Sequence, residues 1–442
     1  MLEAVFCIET SYNVPQPNML NTGRMTTTTS SFFSGPFGTS DSLARLATGR
    51  ETSLFAGAMT VSETHLAAAL KNARVLVAGG AGSIGSSTVK LLASYDTAAL
   101  HIADISENYL ADLVRTLRNS AIPLASEDFR TFTLDYGGEP MRHLLAHEAP
   151  YDYVLNFAAH KHVRGERDGY TLASMIETNI VKLASFREWC AAGGHGQSFF
   201  SVSTDKAANP SSLMGASKRL MEDVVFNHHP LPLSRTVTAR FANVAFSNGS
   251  LLQAWGQRLA NGEPLALPRA TKRYFVSPAE SGELCLLASV LGEGETIVIP
   301  DLDPAQALIE LVEIGDRLLH QHGLEPVHVE SEAEARQLAT DFANGISGNR
   351  YPVLLTPLDT GGEKPYEEFI ADGETAENWL AGLNRIHRLP GAPVDSVLAS
   401  VKTALRDGGT EETLADRFQT IFAQAITNLN HRKSERNLDE RL

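Results

Sequence analysis

Apolar residues along this chain come in short unbroken runs separated by amphipathic stretches, and that rhythm sets the expected elements. The run Val75-Leu76-Val77, inside Arg74 to Ala78, has no polar side, which suits a strand covered on both faces of a parallel sheet. Further strands are expected at Leu100 to Asp104, Thr131 to Leu134, Tyr153 to Phe157, Ser198 to Ser203 and Val237 to Phe241. Helical spacing predicts a helix at Glu63 to Asn72 ahead of the first strand, and others at Ser106 to Asn119, Thr171 to Ala192 and Gly215 to Phe226. Regular alternation of this kind points to an α/β fold, a doubly wound parallel sheet with helices on both faces.

Beyond Phe246 the alternation becomes irregular, with helices expected at Leu251 to Ala260 and Pro278 to Leu291 and strands at Thr296 to Ile299 and Val353 to Leu355. That predicts a smaller second lobe. Leu414, Phe418, Ile421, Phe422 and Ile426 recur at helical spacing within Glu411 to Asn428, so this segment should pack as an amphipathic helix. At the other end, the run Thr26 to Ser31 with Gly35, Pro36 and Gly38 buries little and need not fold. The expected organisation is a variable, partly disordered extension over 1–60, the sheet domain over 61–245, a smaller lobe with interleaved elements over 246–400, and a helical segment over 401–442.

Composition narrows the partners more than the fold. Fifty-two acidic against 37 basic residues leave a formal charge of -15, which disfavours nucleic acid and anionic membrane surfaces in the absence of any Lys/Arg block. No apolar run reaches the ~18 residues of a membrane span, and MLEAVFCIET lacks the features of a secretory signal. The expectation is a protein free in the cytosol. Cys7, Cys190 and Cys285 are odd in number and widely spaced, so they read as reduced thiols with no metal site.

Directly after the first strand comes Gly79-Gly80-Ala81-Gly82-Ser83-Ile84-Gly85, ahead of a helix-compatible run. Such a turn lets backbone amides approach a pyrophosphate at a positive helix end, so Gly79, Gly82, Ser83, Ile84 and Gly85 are candidate dinucleotide contacts. Asp104, ending the next strand, can bind both ribose hydroxyls and would repel a 2′-phosphate, which favours NAD over NADP. It could instead cap the following helix, although Ser106 is better placed for that. Asp135 could accept from the adenine amino group or merely cap a loop.

The chemistry-bearing cluster is Ser203-Thr204-Asp205-Lys206 with Met214-Gly215-Ala216-Ser217-Lys218, in which Met214 and Lys218 share a helix face. Together with VLVAGGAGSIGS, NFAAHKHV, ETNI, RFANVAFSNGS, KRYFVSPAE and GGEKPYEEF, the stretch STDKAANPSSLMGASKR closely resembles extended short-chain dehydrogenase/reductases. The similarity is strongest to the polysaccharide-biosynthesis UDP-N-acetylglucosamine 4,6-dehydratases, in the branch with methionine in place of the usual tyrosine. The resemblance implies a Rossmann-type fold with a C-terminal substrate-binding lobe, NAD as cofactor, and a homo-oligomer.

By family position, Asp205 and Lys206 would be the acid and base of water elimination, Thr204 would bind the oxygen on sugar carbon 4, and Lys218 the nicotinamide ribose. A thioether accepts no proton, so Met214 cannot do a tyrosine's work, and the proton on oxygen 4 is expected to pass to Asp205. A lysine base must be neutral, whereas a pKa of about 10.4 leaves roughly one in 2,500 so at pH 7. The expected catalytic state is therefore a neutral pair, carboxylic acid plus free amine.

The resemblance also implies cofactor contacts at Ala158 and Ala159 and substrate contacts at Lys161, His162, Asn243 and Arg273, an arginine fork suiting paired phosphate oxygens. Asn179 either organises the active-site loop or bonds within its helix. The family's glutamate position holds Arg167, with Glu166 one earlier, and Thr360-Gly361 replaces an arginine-proline pair, which leaves a guanosine-linked sugar open. A nucleotide-sugar 4-epimerase and a non-catalytic NAD-sensing protein are the competing readings.

Overall fold

Arg74–Ala78 forms an interior strand, β1, because its residues alternate between two apolar environments. Val75 and Val77 belong to one buried cluster with Leu66, Leu70 and Val89, whereas Leu76 and Ala78 belong to another with Ile180, Leu183 and Phe186. The computed structural model describes residues 40–121, 123–161, 166, 168–228, 235–357, 366–387, 394–426 and 429–431. Cys7, His162, Arg167 and residues 358–365, which include Gly362-Glu363-Lys364, lie outside them.

Around β1 a nine-stranded sheet is built. To one side lie β2 (Ala99–Asp104) and β3 (Asp128–Thr133), to the other β4 (Tyr153–Asn156), β5 (Ser198–Val202), β6 (Arg235–Ala239) and then Glu295–Pro300, all parallel. An antiparallel hairpin, Leu383–His387 with Ala376–Leu380, completes the far edge. This is a Rossmann-like α/β fold. Because strand order reverses between β1 and β4, the C-terminal ends of those strands open a crevice where a ligand can sit.

Three differences from the sequence pattern have physical reasons. Glu295–Pro300, expected in the smaller lobe, joins the large sheet because Thr296 to Ile299 are buried throughout and a half-covered sheet would expose one side of them. The single helix expected over Thr171 to Ala192 is Gly169–Ile176 and Lys182–Ala192 joined by a wider turn, Glu177–Val181, which re-aims Asn179 inward. Residues 40–60, assigned to the extension, hold the helix Ser40–Thr48 and the start of Ala56–Leu70, with Ala47 and Phe55 fully buried and Arg50 bonded to both oxygens of Glu280.

Smaller sheets carry the remainder. Leu265–Pro268, Arg350–Thr356 and Glu325–Val329 run parallel beside the helices Leu311–Gln321 and Glu332–Ala343, while Asn243–Val244 pairs with Lys272–Val276. The C-terminal helix Glu411–Ala425 buries Leu414, Phe418 and Phe422 against the cluster under Gly169–Ile176. Gly169 permits that approach, since a Cβ there would lie 2.0 Å from the Glu411 carbonyl oxygen. Cys190 and Cys285 are buried free thiols, and among the described residues no helix is long and apolar enough to cross a membrane.

Candidate functional site

At the crevice the chain after β1 turns so tightly that side chains are excluded. Gly79 has φ +70°, and a Cβ on it would lie 2.4 Å from the Ala158 amide nitrogen; one on Gly85 would lie 2.4 Å from the Gly79 carbonyl oxygen. Gly82 then starts the helix Ser83–Leu92 with no side-chain cap, so the first-turn amides are left to meet an anion. Ser83 and Ile84 contribute to this turn differently. The Ser83 hydroxyl accepts from the Asn248 amide at 2.9 Å, which ties the loop after Asn243–Val244 to the glycine turn, while Ile84 packs on the sheet's core.

Asp104 sits beside this turn, one oxygen accepting from the Ala81 amide at 3.0 Å and the other from the Ser106 amide at 2.9 Å. Ser106 caps the helix Glu107–Arg118, which removes the capping reading of Asp104. Each Asp104 oxygen has further acceptor capacity for a ribose hydroxyl, so the residues present fit a dinucleotide. Asp135 accepts from the Gly137 amide at 3.0 Å and pairs with Lys182 at 2.5 Å, so it does cap its loop. Ala158 and Ala159 are half-buried at the end of β4, and Lys161 is exposed beyond them.

The chain leaving β5 carries the reactive cluster. Thr204 Oγ1 donates to Asp205 Oδ1 at 2.7 Å, and Lys206 Nζ lies 3.2 Å from both Asp205 oxygens. Asp205 is buried and the Lys206 side chain is 39% exposed. The Asp205 carboxyl group thus stands at salt-bridge distance from the Lys206 amine, with the Thr204 hydroxyl on one of the same oxygens.

Helix Leu213–Asn227 brings Met214 and Lys218 to the same region, both buried. Its start is held by Ser212, which accepts from the Gly215 amide at 3.0 Å, and by Glu166, which accepts from the Met214 amide at 2.6 Å. Asn179 settles its two readings: its Oδ1 accepts from the His160 amide at 2.9 Å and its Nδ2 donates to the His160 carbonyl and Ser217 Oγ, each at 3.0 Å, so it organises the loop after β4. Lys218 Nζ donates to the Val202 carbonyl at 2.8 Å, and burial lowers its pKa to about 8 against the pull of Glu222. Glu222 itself binds Arg240 through both oxygens, at 2.8 and 2.7 Å, and takes the Ser203 hydroxyl at 2.6 Å.

On the opposite wall, Asn243 and Arg273 lie on paired strands. Between them enters a residue to which the sequence pattern assigned no role, Glu367. It accepts from the Asn243 amide group and, at 3.1 Å, from the Tyr274 backbone amide, and Arg273 Nε is 3.4 Å away. Burial first, and then the Asp205 carboxylate, push its pKa above the usual glutamate range, while Arg273 pulls it back. The one signal for it in the sequence was its place in GGEKPYEEF. Among the described residues no group of His, Cys, Asp or Glu side chains could hold a metal ion.

Residues 75–382 match the profile of a family described as polysaccharide biosynthesis protein. The polysaccharide biosynthesis protein EpsC of Bacillus subtilis is 26% identical over 326 residues, spanning 72% of this chain and 48% of EpsC. An inverting UDP-N-acetylglucosamine 4,6-dehydratase of Campylobacter jejuni is 28% identical over 236 residues, 52% of this chain and 66% of that one. The match thus spans about half the length of EpsC and just under two thirds of the dehydratase. The X-ray structure of Pen from Bacillus thuringiensis superposes with a TM-score of 0.57 at 18% identity, covering 73% of this chain and 89% of Pen, a likeness of fold.

Proposed function

The chain belongs to the polysaccharide biosynthesis protein family, and from that premise we propose that it is an NAD-dependent nucleotide-sugar 4,6-dehydratase acting on UDP-N-acetylglucosamine. The observation that carries the reading is the Thr204-Asp205-Lys206 relay, with Thr204 Oγ1 at 2.7 Å and Lys206 Nζ at 3.2 Å from one carboxylate. Elimination of water across sugar carbons 5 and 6 needs a proton acceptor and a proton donor on adjacent groups, whereas epimerisation at carbon 4 needs no acid for a leaving hydroxyl. The named activity of the Campylobacter jejuni relative supports the same reaction.

Gly79, Gly82, Gly85 and Asp104 would hold NAD, which would supply hydride transfer between sugar carbons 4 and 6. Thr204 hydrogen-bonds oxygen 4, and Asp205 takes that oxygen's proton through the Thr204 hydroxyl. Lys206, in the free-amine form that has given its proton to water, removes the proton from carbon 5; neutralising Asp205 enlarges the share of that minor form by taking away the neighbouring negative charge. Asp205, now a carboxylic acid, protonates the departing hydroxyl on carbon 6, and water leaves. Lys206 then returns its proton to carbon 5 and takes one back from water, so Asp205 and Lys206 end the cycle as the ion pair in which they began.

Incubating the pure protein with NAD and UDP-N-acetylglucosamine, and in parallel with the GDP-linked sugar, should give a product lighter by one water from the UDP substrate. An isomer of unchanged mass would make the protein an epimerase, and an unaltered substrate would favour a cofactor sensor.

Position 214 offers a second check. Because oxygen 4 is deprotonated through Thr204 and Asp205, Met214→Tyr should leave kcat within about fivefold of wild type. A rise in kcat beyond about fiftyfold would show that a hydroxyl at position 214 carries the proton better than the route through Thr204 and Asp205.

A further inference from the structure

Glu367 is 7% exposed and stands among donors: the Tyr274 backbone amide at 3.1 Å, the Asn243 amide group, and the Arg273 guanidinium with Nε at 3.4 Å. Three donors converging on two oxygens suit a carboxylate, which only accepts; a glutamine there would turn its own NH2 toward one of them. Asn243 Nδ2 also donates to the Tyr274 carbonyl at 3.3 Å, so its amide is held between two acceptors with Oδ1 on the far side. The groups that face Glu367 electrostatically are Asp205 and Lys206 on the turn after β5, and Arg273 with the Tyr274 hydroxyl-bearing strand on the other side.

We propose that Glu367 is a positioning residue for the nucleotide, fixing the Arg273 guanidinium and the Asn243 amide in the orientation that receives the substrate's diphosphate. This rests on the reading that Arg273 and Asn243 hold that diphosphate. A buried carboxylate fits the task because it ties the arginine by charge and the asparagine by geometry at once, and the strand register of Asn243 against Phe275 keeps all three groups on one wall. The role differs from that of Asp205: Glu367 acts through Arg273 and Asn243 and moves no proton in the reaction.

The test combines Glu367→Gln, Arg273→Met and the double variant, with the affinity for UDP measured calorimetrically beside KM and kcat for UDP-N-acetylglucosamine. Glu367→Gln should weaken UDP binding and raise KM by about tenfold or more, with kcat within about threefold. In the double variant KM should match that of Arg273→Met alone within about twofold, because the two residues act through one contact. Unchanged UDP affinity in Glu367→Gln, or losses that simply add, would overturn the proposal. Should Glu367→Gln fail to fold by thermal melting, Glu367→Asp keeps the charge on a shorter stem and should raise KM about threefold; an unchanged KM there also overturns it. Wild-type protein that binds UDP but eliminates no water from the sugar nucleotide would sink the dehydratase reading and leave the binding comparison to decide Glu367.

Discussion

Asp205→Asn should lower kcat by about a thousandfold or more, because both proton transfers assigned to this side chain disappear together. An asparagine of the same shape can still accept from Thr204 Oγ1, now 2.7 Å from Asp205, but it neither takes the proton of oxygen 4 nor donates one to the leaving hydroxyl. The fold should survive. Lys206 is 39% exposed, so loss of its ionic partner leaves a hydrated ammonium at a cost below about 1 kcal/mol. Steady-state kinetics with a thermal melt decide the matter: kcat should collapse while KM and the melting temperature stay close to wild type. An enzyme that keeps a tenth of wild-type kcat with asparagine at 205 would remove Asp205 from the mechanism.

Lys218→Met should separate stability from activity. Burial holds the Lys218 pKa at about 8, against 10.5 for an ordinary lysine, so the folded protein releases this proton in a range where the unfolded chain still keeps it. The sign follows. Below pH 8 the folded state carries a charge it would rather lose, and the penalty fades as pH rises from about 8 toward 10.5. A shift of that size corresponds to ~3 kcal/mol as an upper figure. Losing the bond from Nζ to the Val202 carbonyl offsets ~1 kcal/mol, so the methionine variant should gain ~1–2 kcal/mol at pH 7 and little at pH 10. Activity should fall by about a hundredfold, the exchange expected when a strained functional group is relieved. Melting curves at both pH values test it, and a variant less stable than wild type at pH 7 would show that the buried ammonium is no burden.

The elements whose local chemistry is self-contained are legible in the sequence. β1 with its glycine turn, Asp104 at the end of β2 and the Thr204-Asp205-Lys206 turn all lie where short apolar runs end in residues with special backbone or charge requirements. The helix pattern over Thr171 to Ala192 was also legible, but not its wider turn, since one extra residue in a helix leaves the apolar periodicity nearly intact. Asn179 could therefore not be assigned between loop and helix until its contacts with His160 and Ser217 were known.

The sequence alone determined the Rossmann-like alternation, the glycine turn after β1 and the adjacency of the proposed acid-base pair, because each depends on neighbours a few positions away. Tertiary structure decided the rest. It placed Glu295–Pro300 in the large sheet, put Glu367 between Asn243 and Arg273, and set Lys206 as the ionic partner of Asp205 in the resting site. Each of these depends on burial or on charges brought together from distant parts of the chain, and neither spacing nor composition reports the dielectric or the donors that a side chain meets once the chain has folded.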